Sequence, residues 1–242
     1  MEDILLIDKP AGVTSFDVLR RLRKKLGMVK MGHAGTLDPM ATGLMIVGIG
    51  EGTKKLKEYL KLPKVYEAEV MLGIKTTTGD REGEVIESAN IKYQNVAEGD
   101  IHRTLLSIVG KIVLPVPMYS AVKVGGKRLY ARARKGEVFD TPKKEMEVVR
   151  LTFGGIKNVE YGIEGGELSS ASADAQAVAV KKAMEGKQES GVVMKFEVEV
   201  TSGTYVRSLA EEIGKRLGVP VTLWNLRRMQ IGKFRIENAE KL

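Results

Sequence analysis

The sequence predicts a mixed α+β fold in which helices flank a sheet. Two observations carry this prediction. Short apolar or alternating segments typical of strands are interleaved with segments of helical periodicity, and no repeat of fixed period occurs. At 242 residues the chain is long enough for one large domain or two small ones. We expect one domain over residues 1–242.

The N-terminal elements are a strand and a basic helix. Residues 4–7 form a short apolar strand that ends at a turn containing proline and glycine. Thr14 or Ser15 can cap a helix whose apolar residues follow the helical period and which ends at Gly27. The opposite face of this helix is basic and carries Arg20, Arg21, Arg23, Lys24 and Lys25.

The middle of the chain continues the alternation. A loop at 32–43, rich in Gly, Thr and Pro, precedes an apolar strand at 44–49 and a short helix at about 53–60. Residues 65–72 place Tyr66 and three apolar side chains on one face and Glu67 and Glu69 on the other, which predicts a half-buried strand. A helix is predicted at 100–109, and residues 113–136 are predicted to be irregular.

The C-terminal part contains a strand, a helix and an insertion. Residues 194–200 alternate as a strand does, and a helix opens at Thr204 and closes at Gly218. Residues 157–190 are predicted to be an insertion. Between Gly165 and Gly191 large apolar residues are scarce, which favours an inserted loop or a helical excursion over 173–184 rather than core.

Composition excludes several classes of protein and of site. With 43% hydrophobic and 29% charged residues, disorder of the whole chain is excluded. The absence of cysteine rules out disulfides, thiolate ligands and cysteine nucleophiles, and two histidines are too few for a structural zinc. No apolar run could span a bilayer and the N-terminus does not read as a signal peptide, so we expect a cytoplasmic protein.

The charge of the chain is positive and unevenly distributed. Lys and Arg number 39 against 31 Asp and Glu, a net charge of +8. Residues 103–148 hold ten basic and four acidic residues, and 200–242 hold eight and four, whereas 156–194 hold four and six. Such blocks can build a one-sided basic surface, as binding to nucleic acid requires.

The loop at 32–43 has the residue types typical of an active-site loop. Three glycines and a proline give it unusual backbone geometry, and it places His33, Asp38 and two threonines between a helix and a strand. The alternative is that Asp38 only begins an Asp-Pro turn and that His33 is incidental. Phosphate-loop, nucleophile-elbow and paired-histidine patterns are absent from the sequence, and no spacing identifies a serine nucleophile.

The same loop reads Gly-His-Ala-Gly-Thr-Leu-Asp-Pro-Met-Ala-Thr-Gly and strongly resembles the signature of the TruB family of tRNA pseudouridine synthases. Further motifs resemble those of the family in the right order. They are Asp8–Ser15, Lys64–Tyr66 with Leu72–Gly73, Pro117–Ala121 with Gly126–Tyr130, Gly203–Leu209, and Leu226–Arg228. The resemblance covers residues 3 to about 236, apart from the insertion.

This resemblance implies the pseudouridine synthase fold, with a mixed, largely antiparallel sheet flanked by helices. It implies that Asp38 is the catalytic carboxylate and that Arg207 pairs with it and keeps it ionised. Tyr66 stacks on the flipped uracil, Leu226 walls the pocket, Tyr205 supports the carboxylate–arginine pair, and His33 fills the gap in the RNA stack. Without the family resemblance, Arg207 would be interpreted as a solvated surface charge, and Tyr66 and Leu226 would be interpreted as core residues.

Binding of RNA is assigned to basic surfaces. Residues 113–136 resemble the RNA-gripping thumb of the family, and we call them the thumb segment. Its basic residues are interleaved with Tyr119 and Tyr130, which suits phosphate contact with stacking, although a solvated loop would look the same. The predicted RNA-binding residues are Lys9, Lys64, Lys123, Lys127, Arg128 and Arg132.

The function implied is isomerisation of the T-loop uridine at position 55 of tRNA to pseudouridine, without metal or cofactor, by a monomer that binds the T-stem-loop. The alternatives are a non-catalytic tRNA-binding or folding module and a synthase that acts on another RNA. Family members commonly carry a C-terminal RNA-binding PUA domain. Since the sequence ends at Leu242, we expect no such domain here.

Overall fold

The computed structural model describes residues 3–89, 91, 97–137, 139–164, 167–170 and 189–242. Within these ranges an 11-stranded sheet forms the centre of the molecule. Its strands are β1 (Ile4–Lys9), β2 (Met31–His33), β3 (Thr42–Ile49), β4 (Lys64–Leu72), β7 (Gly110–Pro115), β10 (Lys143–Glu164), β11 (Glu167–Ser170), β12 (Glu189–Val200), β13 (Val221–Ile231), β14 (Phe234–Arg235) and β15 (Glu240–Lys241). Two hairpins lie outside it, β5 (Ile74–Thr76) with β6 (Val85–Ser88), and β8 (Lys123–Val124) with β9 (Lys127–Arg128).

The sheet is mixed and largely antiparallel, as predicted. Its main strand order is β11-β10-β12-β4-β13-β3-β1-β15, with β14 beside β13, β2 beside β3 and β7 beside β10. Only the β1–β15 and β3–β13 pairs in this described sheet are parallel. The β3–β13 pairing places Thr42 opposite Arg227, so the strand that leaves the 32–43 loop lies beside the last long strand.

Five α-helices surround the sheet in the described ranges: α1 (Ser15–Leu26), α2 (Leu56–Lys61), α3 (Glu98–Ile108), α4 (Leu129–Ala133) and α5 (Val206–Leu217). Thr14 caps α1, and it forms a capping box with Asp17. The helix predicted from Thr204 begins two residues later, because Tyr205 is extended (φ −102°, ψ 113°) and occupies the cap position. The helix predicted at 53–60 is a 3₁₀ turn over Gly50–Lys55 followed by α2.

The main hydrophobic core covers one face of the sheet. It joins apolar side chains of α1, α3 and α5 to the face of β4 that carries Tyr66 and Ala68. We call this side of the sheet the helical face. The predicted alternation of β4 is confirmed, since Tyr66 belongs to this core while Glu67 is exposed. Smaller clusters cover the opposite face, one around α2 and one around Trp224.

The predicted insertion at 157–190 begins with a strand, and its status as an insertion stays a prediction. Residues 157–164 continue β10: residues 157–161 pair with β12 back to Glu189, and residues 161–164 pair with β11, which Glu167–Ser170 form. Tyr161 and Gly191 are buried, and Tyr161 packs in the cluster with Trp224, so part of this segment is core. The reason is that the alternation of β10 and β12 continues beyond the point where composition changes. The helix suggested at 173–184 lies outside the described residues.

The thumb segment is more regular than predicted. It contains the end of β7, the β8–β9 hairpin and α4. Gly125 and Gly126 form the hairpin turn with φ of +59° and +80°, a conformation that glycine adopts without strain. A two-residue turn with two short strands gives too little periodicity to be recognised in the sequence.

None of the helices in the described part of the chain combines the length and apolar character needed to cross a membrane.

Candidate active site

Asp38 lies on a loop between β2 and β3 that two helices hold. We call residues 34–41 the Asp38 loop. On one side the hydroxyl of Ser15 in α1 donates to the carbonyl of Leu37 (3.1 Å) and accepts from its amide (2.9 Å). On the other side Arg207 of α5 pairs with Asp38 itself. Leu37, Met40 and Ala41 are buried in the main core, which anchors the loop on the helical face.

The side chain of Lys9 holds the backbone of the Asp38 loop. Its side chain is fully buried, and Nζ donates to the carbonyls of Pro39 (3.1 Å) and Pro10 (2.9 Å). The amide of Gly12 donates to the same Pro39 carbonyl. Burial lowers the pKa of Lys9 from 10.5 to about 8. In this structure the ammonium group of Lys9 is used inside the protein, and its predicted contact with RNA stays a prediction.

The predicted pairing of Arg207 with Asp38 is confirmed. Nε lies 3.1 Å from Oδ2 and Nη2 lies 3.3 Å from Oδ1, which is the two-point geometry that suits a guanidinium and a carboxylate. Arg207 also donates to the carbonyls of Thr78 (3.1 Å) and Tyr119 (2.9 Å). Only 6% of its side chain is exposed, whereas Asp38 keeps 34% exposed. The arginine is buried in the protein, whereas the carboxylate is partly buried and partly accessible.

Asp80 is a second carboxylate beside Arg207, and sequence reasoning missed it. Its Oδ2 lies 3.6 Å from Nη1 of Arg207, and its side chain is almost fully buried. Its Oδ1 accepts from the hydroxyl of Thr78 (2.6 Å) and the amide of Glu82 (3.1 Å). These bonds offset the cost of burying the charge. Asp80 lies in a segment to which no periodicity or motif had been assigned, so no signal pointed to it.

The electrostatics of the site raise the pKa of Asp38. Burial of the carboxylate is the largest cause, and the charge of Asp80 adds to it. Arg207 and Lys9 oppose the shift because both favour the ionised form. Burial also raises the pKa of Tyr205, with Arg207 opposing and Asp38 contributing, so the Tyr205 ring lies within electrostatic reach of the pair.

Tyr66 and Leu226 lie on adjacent strands on the helical face. In the β4–β13 register Ala68 is opposite Leu226, and Tyr66 is two residues along β4. Both side chains are almost fully buried in the main core, next to the apolar residues of the Asp38 loop. Their predicted roles, stacking on a base and walling a pocket, stay predictions.

His33 ends β2, directly before the Asp38 loop. Its imidazole is half-buried, and burial together with the charge of Arg228 lowers its pKa. A neutral ring suits insertion into an apolar base stack. This agrees with the role predicted for His33, which stays a prediction.

Arg228 is a structural arginine that sequence reasoning left without a role. Its side chain is 1% exposed, and it donates to the carbonyls of Leu44 (2.7 Å) and Gly35 (3.2 Å). Gly35 lies near the start of the Asp38 loop and Leu44 lies in β3, which follows the loop, so one guanidinium ties the loop to that strand. The neighbouring Arg227 makes a two-point pair with Asp8 (3.1 and 2.8 Å) at the base of the loop.

The predicted RNA-binding residues divide into two groups. Lys64 is buried and donates to the carbonyls of Leu60 and Leu62, both at 2.6 Å, and burial lowers its pKa from 10.5 to about 8. As with Lys9, the ammonium group of Lys64 is used inside the protein, and its predicted contact with RNA stays a prediction. Lys123, Lys127 and Arg128 are exposed on the thumb hairpin. Arg132 is half-buried, paired with Glu137 at 2.7 Å and stacked on the Phe139 ring.

No group of three or more His, Cys, Asp or Glu side chains within the described ranges has a geometry that could hold a metal ion.

Solved structures share this fold. The chain superposes on the crystal structure of a Cbf5-Nop10-Gar1 complex with a TM-score of 0.64 and 24% identity, covering 99% of this chain and 52% of that one. An H/ACA RNP bound to a substrate RNA containing 2′-deoxyuridine gives a TM-score of 0.59 and 23% identity. This chain thus spans about half the length of these neighbours, and at such identity the likeness concerns the fold, that of the pseudouridine synthases.

Sequence comparisons identify the family. The profile of the TruB family pseudouridylate synthase, N-terminal domain, matches residues 23–167. Proteins called tRNA pseudouridine synthase B from Corynebacterium efficiens and Thermobifida fusca are each 38% identical to this chain. The alignments cover 98% and 100% of this chain and 69% and 73% of those proteins. The chain belongs to the TruB family of pseudouridylate synthases.

Proposed function

We propose that this protein converts the uridine at position 55, in the T-loop of tRNA, to pseudouridine. The single observation that carries the proposal is the two-point contact between Arg207 and Asp38, in which the arginine is buried and the carboxylate remains accessible. Membership of the TruB family and the names of its relatives supply the reaction and the tRNA substrate. The position within the tRNA follows from the resemblance of the motifs.

The proposed reaction is an internal rearrangement. The bond between N1 of uracil and C1′ of ribose breaks, the base rotates, and a new bond forms between C5 and C1′. C5 loses its hydrogen as a proton and N1 gains a proton, so no electrons enter or leave. Asp38 acts at the sugar, either by attacking C1′ or by taking the 2′ proton, and a carboxylate suits both routes.

The neighbouring residues give Asp38 its reactivity. The fixed charge of Arg207 favours the ionised carboxylate against the burial that raises its pKa. Tyr66 and Leu226 offer an apolar surface on the helical face for the flipped base, and Tyr205 borders the ion pair. His33, with its lowered pKa, fills the space that the base leaves, which reduces the cost of unstacking.

The thumb segment is the proposed grip on the T-stem-loop, through Lys123, Lys127 and Arg128, while Arg132 orders it through Glu137 and Phe139. We further propose that the protein works as a monomer in the cytoplasm and that residues 1–242 act as one catalytic domain. The net charge of +8 supports a polyanionic substrate.

The experiment is a tritium-release assay on unmodified tRNA transcripts that contain 5-tritiated uridine, since release reports loss of the C5 hydrogen. We expect release by the wild type and none by Asp38→Asn. Asp100→Asn removes an exposed carboxylate on α3 and serves as the matched control with wild-type release. A second transcript with cytidine at position 55 tests the position and is expected to release no tritium.

Other outcomes separate the alternatives. Wild-type protein that binds tRNA tightly but releases no tritium would be a non-catalytic binding or folding module. Release from the transcript with cytidine at position 55 would indicate a synthase for another site or another RNA. Equal release by Asp38→Asn and wild type would show that Asp38 is not the catalytic carboxylate.

A further inference from the structure

The outer flank of α1 carries an exposed aromatic side chain. Phe16 is 56% exposed, whereas the other apolar residues Val18, Leu19 and Leu22 of the helix are buried in the main core. A phenylalanine that packs on nothing in the core adds no stability comparable to theirs. Packing in the core therefore does not account for the position of this ring.

Two arginines of the same helix lie against the Phe16 ring. The guanidinium carbons of Arg20 and Arg23 are 5.8 and 5.7 Å from its centroid, within the range of cation–π contact. Arg20 also pairs with Asp17 at 2.9 Å, and Arg23 donates to the carbonyl of Met31 at 3.4 Å. The ring thus brings two like charges together on one surface, which favours an anionic ligand between them. We call these three residues the α1 patch.

The α1 patch lies on a helix that contacts the Asp38 loop. Ser15, adjacent to Phe16 in the chain, makes both bonds to Leu37, and Asp38 is the next residue of the loop. The helix α1 and the helix α5, which carries Arg207, contribute to the same core on the helical face. They hold the Asp38 loop from opposite sides. A polymer that places one unit at Asp38 extends beyond the Asp38 loop, and α1 is one of the elements in contact with that loop.

The chemistry of the α1 patch fits an RNA strand. Arginine forks match phosphate oxygens, and α1 carries five basic residues and one acidic residue over its length. An aromatic ring beside the arginines supplies the apolar contact that nucleobases and riboses use. A basic helix face that contacts only solvent would require neither the exposed Phe16 ring nor arginines placed against it.

We propose that Phe16, Arg20 and Arg23 form a second RNA-binding surface of the enzyme, separate from the thumb segment. The arginines bind backbone phosphates of the substrate strand that flanks the target uridine, and Phe16 contacts a base or ribose of that strand. This inference rests on the proposed function for the identity of its ligand. It predicts that the α1 patch contributes to binding and not to the chemical step.

The test compares two double variants of α1. Arg20→Ala/Arg23→Ala removes two charges from the α1 patch, and Arg21→Ala/Lys25→Ala removes two exposed charges from the opposite flank. The dissociation constant for a tRNA transcript is measured as a function of salt, and kcat and KM are measured by tritium release. Far-ultraviolet circular dichroism and melting confirm folding.

For Arg20→Ala/Arg23→Ala we expect Kd and KM to rise by about tenfold or more and kcat to stay unchanged. The slope of the logarithm of the association constant for tRNA against the logarithm of the salt concentration should decrease in magnitude by about 1 to 2. This is the change expected when contacts to one or two phosphates are lost. Phe16→Ala should raise Kd at least about fivefold without changing the slope. The control pair should match the wild type. Arg20→Gln/Arg23→Gln replaces the alanine pair if that variant fails to fold.

Equal affinity and equal salt slope in both double variants would overturn the proposal, since the α1 patch would then be a solvated face or a surface for a different partner. Loss of kcat without loss of affinity would overturn it as well. The proposed function fails separately: wild-type protein would then release no tritium, whatever the binding of the variants shows.

Discussion

The guanidinium of Arg207 meets the carboxylate of Asp38 with two nitrogens against two oxygens, at 3.1 and 3.3 Å, across 169 residues of sequence. The pair closes the Asp38 loop onto α5. Because Arg207 also donates to the carbonyls of Thr78 and Tyr119, its position is set by the backbone of two further segments. The carboxylate is therefore oriented by a buried guanidinium group whose position is fixed by backbone carbonyls.

Replacement of Arg207 by lysine should lower activity strongly. A lysine keeps the charge but cannot make the two-point contact or both carbonyl bonds, and charged hydrogen bonds contribute about 1.5 to 3 kcal/mol each. We expect kcat to fall roughly 10- to 100-fold with KM little changed, measured by single-turnover tritium release. Arg216→Lys, which alters a partly exposed ion pair on the same helix, is the control. Equal losses in both variants would show that the effect belongs to α5 in general.

Replacement of Asp80 by asparagine should shift the pH dependence of the reaction. The charge of Asp80 raises the pKa of Asp38, so its removal lowers that pKa. If Asp38 reacts as a carboxylate, the acid limb of the rate–pH profile then moves to lower pH. The measurement is the single-turnover rate from pH 4 to 8, the lower end being roughly the usual pKa of a carboxyl group. An acid limb that stays in place or moves upward would contradict the assignment.

The pH dependence of stability should reveal the buried lysines. The pKa of Lys64 is about 8 in the folded protein and 10.5 in the reference state, so between these values the unfolded chain binds more protons. The free energy of unfolding contributed by this group therefore rises with pH from about 8 to 10.5. We expect the difference in unfolding free energy between wild type and Lys64→Met to grow in favour of the wild type over this range. Urea denaturation at several pH values measures it, and parallel curves would exclude the burial of this charge.

Gly43 should be far less tolerant of substitution than Gly27, although both have positive φ. A Cβ on Gly43 (φ +102°) would lie 2.4 Å from the carbonyl oxygen of Arg228, whereas one on Gly27 (φ +88°) meets nothing within 4 Å. We expect Gly27→Ala to cost about 1 to 3 kcal/mol of unfolding free energy, because its φ of 88° and ψ of 176° are open essentially to glycine alone. Gly43→Ala should cost about 4 kcal/mol or more. Chemical denaturation checks both. Similar losses would mean that β3 and β13 can separate freely at this point.

The elements with strong local signals were predicted well. The capped, periodic α1 and the alternating β4 follow the structure closely, because capping and side-chain periodicity act over a few residues. Its glycines and proline predict the Asp38 loop as a candidate active-site loop. Only the family resemblance predicts the Arg207–Asp38 pair. The two residues are 169 positions apart, and a contact between a loop and a helix at that separation produces no periodic pattern in the sequence.

The remaining site residues could not be predicted for physical reasons. Lys9 and Lys64 carry charges, and charge favours exposure, but carbonyl acceptors on neighbouring turns stabilise both ammonium groups inside the protein. Arg228 is buried by the same kind of contact. Asp80 is held by Thr78 and by Arg207, neither of which marks it in the sequence. Such partners are visible only once the chain has folded.

The two helices that hold the Asp38 loop share one hydrophobic core. Moving α1 away from α5 would expose side chains of that core and break the Ser15 and Arg207 contacts to the loop together. Close-packed interiors resist such a displacement, so the enzyme offers a rigid receptor for its substrate. The deformation needed to bring the target base to Asp38 then falls on the RNA. An RNA whose loop already strains or exposes that nucleotide is deformed at less cost, and this makes flexibility of the substrate a component of selectivity.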